Sequence, residues 1–327
     1  MKLVAVIIPT YNRQEFLHQT LHTIRQQTMP MDCFEVIVVD DGSTDGTAEV
    51  AQKIYPFSLR YLYQENQGDA AARNTGVAQN EAEILVFLDD DILLHPNYLT
   101  GLVAAHEGAT HKIVIGKQHL WLEEGSPLDS PVSVKVAVAS DYNTLVQIPF
   151  VDVCSNNMSV RREAYYEIGM MQSLDFPGSS IWCDVDFAYR AYQKGFEFYC
   201  NPQAVCWHRD YVAQNLENHK SRMYKVAYRA VTLFQKYPDL PPHLPMFADK
   251  LPIQWQQDTL SLIVRKLVRR LASSAPALWG LEWLRGLLDR HTQTSTWHYV
   301  LERWIIGGHI YQGYQAGRRV YQEELGL

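Results

Sequence analysis

The stretch VFLDDD, residues 86–91, ends an apolar run in three consecutive carboxylates, Asp89, Asp90 and Asp91. Carboxylates this close repel one another and hold protons more readily unless positive charge sits among them. The chemistry such a trio offers is capture of a cation, and the plainer reading is a loop solvated by water. If the backbone runs on as a strand, Asp90 faces away from its two neighbours; a tight turn would reverse that.

A repeating pattern of elements must hold the trio in place. KLVAVIIP is a β-branched run closed by proline, EFLHQTLHTIRQQ carries Phe16, Leu17, Leu21 and Ile24 at helical spacing, and FEVIVVDDGS is a second strand ending in turn residues. The alternation continues through a helix over 44–54, the strand LRYLYQ, a helix over 68–79 and the strand ILVFLDDD. Mostly continuous apolar strands between helices predict an α/β fold with a parallel sheet covered on both faces. Such sheets bind ligands beyond the carboxyl ends of their strands. Four stretches lie at those ends: VIIPTYNR (6–13), VVDDGSTDGT (38–47), ENQGDAAARNTG (65–76) and FLDDD (87–91). Beyond Pro96 the pattern loosens into a helix over 97–106, the strand KIVIGKQHLWL, a loop-rich excursion over 123–149, and short strands around a helix beginning near Asp184.

Composition limits the function classes. The 327 residues carry a net charge of -7, but residues 1–212 hold 14 Lys+Arg against 27 Asp+Glu (net -13), whereas residues 213–327 hold 15 against 9 (net +6). An acidic front half is a poor general binder of nucleic acid. The five cysteines, Cys33, Cys154, Cys183, Cys200 and Cys206, show no CxxC spacing, so no zinc site or disulfide framework is signalled, which suits a reducing cytosol. The first apolar run, Leu3 to Ile8, is too short for a signal-peptide core, and no run reaches the roughly 18 apolar residues a spanning helix needs. A cytoplasmic protein is expected.

Taken together and in this order, the four strand-end stretches resemble the family 2 glycosyltransferases, with the likeness covering about residues 3–208. The resemblance implies the GT-A fold, a Rossmann-like, mostly parallel central sheet with helices on both faces, and an inverting enzyme using a nucleotide-diphosphate sugar, UDP being the commonest, in glycan or polysaccharide synthesis. It implies that Asp41 contacts the base with Asp40 beside it, that backbone at Pro9 and Thr10 lines the nucleotide, and that Tyr11 supplies an aromatic face. Arg13 and Gly68 join this nucleotide set, and Arg73 reaches phosphate or the carboxylates near it. The trio maps onto the family's Asp-x-Asp motif, which holds Mg²⁺ or Mn²⁺ against the diphosphate. Asp91 would be the direct ligand, Asp89 would lie nearer the ribose or metal-bound waters, and Asp90 falls between them. His208, in AVCWHRD, matches a histidine that completes the metal shell in many members.

An acceptor hydroxyl needs its proton removed, and SIWCDVDFAYRAYQKGF supplies the candidates. The family usually carries a Glu-Asp pair here. This chain has Cys183 in the Glu position, which leaves Asp184 as the expected base and Asp186 in reserve, with Trp182 beside them; either aspartate could instead cap a helix. Asn156 and Asn157 are expected to border donor sugar and acceptor. A sugar nucleotidyltransferase is a rival, although VIIPTYNR lacks that class's Gly-rich phosphate loop, and a non-catalytic nucleotide- or carbohydrate-binding module is another.

The expected domains are a catalytic region over 1–212, with a nucleotide-sugar half (1–118) and an acceptor half (119–212), and a helical extension over 213–327. In the extension, Leu260, Ile263, Val264, Leu267, Val268 and Leu271 form an apolar stripe, and Arg265, Lys266, Arg269 and Arg270 a basic one, followed by Trp279 and Trp283. That pattern suits peripheral contact with the inner face of the cell membrane and a lipid-linked acceptor. It equally suits packing on the catalytic domain or on a second subunit.

Overall fold

The computed structural model describes residues 2–108, 110–120, 144–174, 181–209, 215–291 and 296–324. The chain divides into two compact units, Met1–Asp210 and Tyr211–Leu327.

The first unit opens with β1 (Val4–Thr10), α1 (Gln14–Ile24), β2 (Phe34–Asp40), α2 (Thr47–Ala51), β3 (Ser58–Tyr63), α3 (Asp69–Ala78) and β4 (Ile84–Leu88). It continues with β5 (Ile92–Leu94), α4 (Tyr98–Ala105), β6 (Lys112–Leu120), β7 (Val146–Gln147), β8 (Asn157–Arg161), α5 (Arg162–Ile168), α6 (Cys183–Gln193) and β9 (Glu197–His208). The sheet runs β3-β2-β1-β4-β8-β6-β9-β5, with β7 also paired to β9. Strands β1 to β4 are mutually parallel, β8 is antiparallel to both β4 and β6, and β6 is parallel to β9. The sheet is therefore mixed but mostly parallel.

Side chains alternate across the sheet. Val4, Val6 and Ile8 join Leu17, Leu21 and Ile24 of α1 in one core cluster. On the opposite face Gly76 lets α3 lie close to β1, because a Cβ there would stand 2.6 Å from Ile7 Cγ2. Register places Thr10 opposite Asp40 and Asp40 opposite Tyr63, so three strands end at one level, and the loops that follow share one rim.

Three elements differ from the sequence-based expectation. The helix expected over 44–54 is only α2: the Asp45 carboxylate accepts from Thr47 N at 3.0 Å and from Gln14 N at 3.1 Å, which holds the preceding residues in the loop. Strand β5 follows the acidic trio through a turn, and REAYYEI forms α5. Most of the 123–149 excursion lies outside the described residues; Val146–Gln147 pairs with β9.

The second unit comprises α7 (Leu216–Lys236), α8 (Leu260–Ala272), α9 (Ala275–His291) and α10 (Thr296–Glu324). Helices α7 and α10 approach at two glycines: a Cβ on Gly313 would stand 2.2 Å from the Tyr224 carbonyl oxygen, and one on Gly317 2.5 Å from that of Tyr228.

Candidate active site

The rim is stitched before any ligand arrives. Asn12, at φ +52°, donates its backbone N–H to Ser43 Oγ at 2.8 Å and accepts from Thr44 N at 2.7 Å, while Gln14 N donates to Asp45 at 3.1 Å. These bonds lock the loop after β1 to the loop after β2. Asp40 accepts from Ser43 N at 2.7 Å and from the Tyr61 hydroxyl at 2.7 Å. Asp41 is buried and accepts from Gln64 Nε2, Gln67 N and Gly68 N at 2.7–2.9 Å. Its carboxylate therefore fixes the loop leading into α3, whose first turn is entered through Gly68 at φ +89°. Pro9 and Thr10 are buried under this rim, and Tyr11 is exposed above it.

The acidic trio is arranged by two arginines. Arg73, fully buried on α3, pairs with Asp69 one turn earlier and with Asp89 at 2.5 Å. Its guanidinium is thereby committed to two carboxylates, the second of the two partner types expected for it. Arg13 bonds Asp91 at 2.6 Å and Asp90 at 3.2 Å. A turn at residues 90–91 directs Asp90 inward, where it accepts from the Thr10 hydroxyl at 2.8 Å and is buried. Asp90 thus braces the loop through Thr10 and Arg13. Asp89 keeps 34% of its side chain exposed.

Burial and arginine pairing tune the three carboxylates differently. Partial desolvation and the neighbouring carboxylates raise Asp89 above its usual range, with Arg73 opposing, and burial, opposed by Arg13, pushes Asp90 up to about 7. Asp91 is the exception: burial opposes ionisation, but His208 and Arg13 outweigh it and hold the carboxyl below its usual range. Pairing Leu94 with Cys206 and Ile92 with His208, β5 and β9 set His208 Nε2 3.3 Å from Asp91 Oδ1. That contact is within ion-pair reach but off hydrogen-bond geometry, so Asp91 Oδ1 is a buried oxygen with no hydrogen-bond donor among the described residues. Asp69 Oδ1, Arg73 Nε and Asn156 Oδ1 are orphaned in the same way. No cluster of three or more His, Cys, Asp or Glu metal ligands occurs among the described residues. Hard divalent cations often take one or two protein ligands and complete their shell with phosphate oxygens and water, so Asp91 with His208 fits such an ion.

Across the rim, Asp184 stands in the first turn of α6. Trp182 precedes the helix at φ +72°, a backbone region costly for a bulky residue and a form of strain that tends to cluster at functional sites. Burial raises the Asp184 carboxyl, against bonds from Val185 N at 2.8 Å and from the Cys154 thiol. Asp186 is different. It is fully buried and paired with Arg190 at 2.8 Å, and Arg190 in turn donates to the carbonyls of Ile168 and Met170, each at 2.7 Å. It clamps α6 to the end of α5. Asn157 is likewise turned into the sheet, bonding the Tyr98 hydroxyl at 2.5 Å and both backbone groups of Gly116 at 2.8 and 2.9 Å. Its neighbour Asn156 instead meets the trio, its carbonyl accepting from Asp89 N at 3.2 Å.

Three contributors fall outside the residues singled out from the sequence. Cys154 lies beside Asp184, Asp69 is the second partner of Arg73, and Arg209 donates N–H to the Asp91 carbonyl at 3.1 Å. Arg209 and Arg13 both lie on the Phe16 ring, 5.2 and 4.5 Å from its centroid. An arginine next to His208 was the only available hint.

Residues 5–169 match the family model described as glycosyl transferase family 2. The chain belongs to glycosyltransferase family 2. It is 29% identical over 272 residues to validoxylamine A glucosyltransferase of Streptomyces hygroscopicus subsp. jinggangensis, over 74% of this chain and 63% of that protein. The chain thus spans less than two thirds of the length of the curated relatives it matches, 58–63% for three of them. Its fold is similar to that of mannosyltransferase PcManGT from Pyrobaculum calidifontis, solved in complex with GDP-Man and Mn2+, at TM-score 0.60, 21% identity and coverage of 96% of this chain and 87% of that one. It is also similar to S. aureus TarS 1-349 in complex with UDP-GlcNAc, at TM-score 0.52, 17% identity and coverage of 99% and 92%. The fold is GT-A.

Proposed function

We propose that the chain transfers a sugar from a nucleoside-diphosphate sugar, UDP-linked by the family's preference, to an acceptor hydroxyl in glycan or polysaccharide synthesis, with inversion at the anomeric carbon. The observation that carries this reading is the pairing of two differently tuned carboxylates at one rim. Asp91 is held below the usual carboxylate range beside His208, and Asp184 is raised by burial next to Cys154. Groups whose environments push their pKa values apart divide into acid, base and ligand roles.

In this reading Asp184 takes the acceptor proton as the hydroxyl oxygen attacks the anomeric carbon and the bond to the diphosphate breaks. An elevated pKa makes it a better proton acceptor than an ordinary aspartate. Asp91 and His208 would hold Mg²⁺ or Mn²⁺, which neutralises the charge gathering on the departing diphosphate. The Gln118 amide, 3.3 Å from His208 Nδ1, fixes the ring so that Nε2 faces Asp91. Asp89, held by Arg73, meets the ribose, and Asn156 Oδ1 takes a sugar hydroxyl. Tyr11 stacks on the base, and Asp41 with Pro9, Thr10 and Gly68 shapes its seat. Trp182 walls the acceptor side. The acceptor is a carbohydrate, free or lipid-linked. The two solved relatives were captured with GDP-Man and UDP-GlcNAc, which sets the ligands to try.

The test is a thermal-shift screen of UDP-, GDP- and dTDP-sugars with Mn²⁺ or Mg²⁺. Ligand at a hundred times its Kd stabilises a native protein by about 2.7 kcal/mol, a shift easily read. One nucleotide sugar should raise the melting temperature more with the ion than with chelator. Absence of any shift with every donor would overturn the reading.

A further inference from the structure

Helix α8 is built inside out for a water-soluble helix. At roughly 100° per residue, Leu260, Val264, Leu267, Val268 and Leu271 fall on one face. All five are exposed, Leu260 at 77% and Leu271 at 73%. The buried residues of this helix are Lys266 and Arg269. Lys266 Nζ bonds Asp258 at 2.6 Å and the Pro252 carbonyl at 2.9 Å. Arg269 bonds Asp249 at 3.0 Å and lies over the Trp304 ring of α10 at 4.5 Å. Its guanidinium occupies the space that a Cβ on Gly307 would need. The helix is therefore anchored to its own unit by charge, and its apolar stripe is left for something else.

Arg265 and Arg270 flank that stripe, one on each side by the same helical spacing, both exposed and without a carboxylate partner among the described residues. On the next helix Trp279 and Trp283, four residues apart, are 70% and 57% exposed. Tryptophan favours the boundary between headgroups and hydrocarbon, and guanidinium groups beside an apolar face reach lipid phosphates. We propose that the outward face of α8, with Trp279 and Trp283, lies on the surface of a bilayer carrying anionic lipid. A second copy is the poorer occupant, since a twofold interface would bring the same basic flanks together in a unit already net basic at +6. Among the described residues no helix is long and apolar enough to cross a membrane, so the contact is interfacial.

The test is flotation of the full chain with phosphatidylcholine vesicles, with and without phosphatidylglycerol, at low and high salt. Wild type should float with anionic vesicles, and partitioning should fall at least about tenfold on neutral vesicles or at high salt, since each basic residue near an anionic surface contributes about 1 kcal/mol. Val264→Ser, Leu267→Ser and Leu271→Ser combined should abolish flotation, and Arg265→Gln with Arg270→Gln should remove the salt-sensitive part. Exposed positions tolerate such changes, and an unchanged nucleotide-induced thermal shift would show the variants folded, separating this outcome from any failure of the transferase reading. Brominated phosphatidylglycerol should quench wild-type tryptophan fluorescence. Wild type that never floats overturns the proposal, as does a stripe variant that floats like wild type. A stripe variant that splits a wild-type dimer, with no vesicle binding by either, would assign the face to a second copy.

Discussion

At the scale of the residue, proximity in sequence says little about role. Asp89, Asp90 and Asp91 are consecutive, yet one faces Arg73 and solvent, one braces Thr10, and one meets His208. If Asp91 with His208 holds a divalent ion, calorimetry should find nucleoside diphosphate bound more tightly with Mn²⁺ than with chelator, and Asp91→Asn should lose most of that gain. Equal affinity in both conditions would count against the site. Asp184 carries a second expectation. Its raised pKa means the folded state holds the proton more tightly than the unfolded chain. Stability is then lost as pH rises through the folded-state value and is regained as pH falls toward the unfolded-state value. Asp184→Asn removes the buried charge, so its melting temperature should exceed that of wild type at neutral pH, with the difference shrinking as pH is lowered. A variant less stable at neutral pH, or a difference independent of pH, would contradict this.

At the scale of the element, side-chain aim is the variable that motifs leave open. The Asp186–Arg190 clamp is buried, and breaking a buried pair from one side costs about 3–5 kcal/mol, so Arg190→Met should destabilise by that order in urea unfolding. A change under about 1 kcal/mol would mean that the pair is dispensable. In the second unit, Gly313→Val should cost at least about 1–3 kcal/mol, because the added carbons meet the Tyr224 carbonyl. The strands β1, β2 and β4 could be read from their continuous apolar runs, since burial on both faces leaves no alternation to confuse with a helix. Strand β5 could not, being three residues whose state is set by pairing with β9, more than 100 residues later. The positions of the acidic trio and of Asp184 were readable for the same reason as the strands: both stand at element ends. That Asn157 turns inward was not readable, because its partners Tyr98 and Gly116 are chosen by packing, whereas the i,i+4 spacing of Asp186 and Arg190 was a readable hint of their pairing. Cys154 likewise gave no signal, since a lone cysteine has no spacing to recognise.

At the scale of the whole molecule, the chain combines an acidic GT-A unit with a basic helical one. Cys183 marks the departure that matters most. Burial keeps its thiol neutral next to Arg73, whose charge is then met by Asp69 and Asp89, so the site loses a carboxylate without stranding the arginine. That balance leaves Asp184 as the carboxylate at the amino end of α6 not already committed to an arginine, and hence as the proposed base. The most direct test is a paired measurement of transfer rate and donor affinity for wild type and Asp184→Asn, using the donor identified by thermal shift. An amide keeps the shape but is no useful base at neutral pH, so turnover should fall by about 10²- to 10⁴-fold with donor affinity little changed. Near-normal turnover in Asp184→Asn, with the donor still bound, would contradict the assignment.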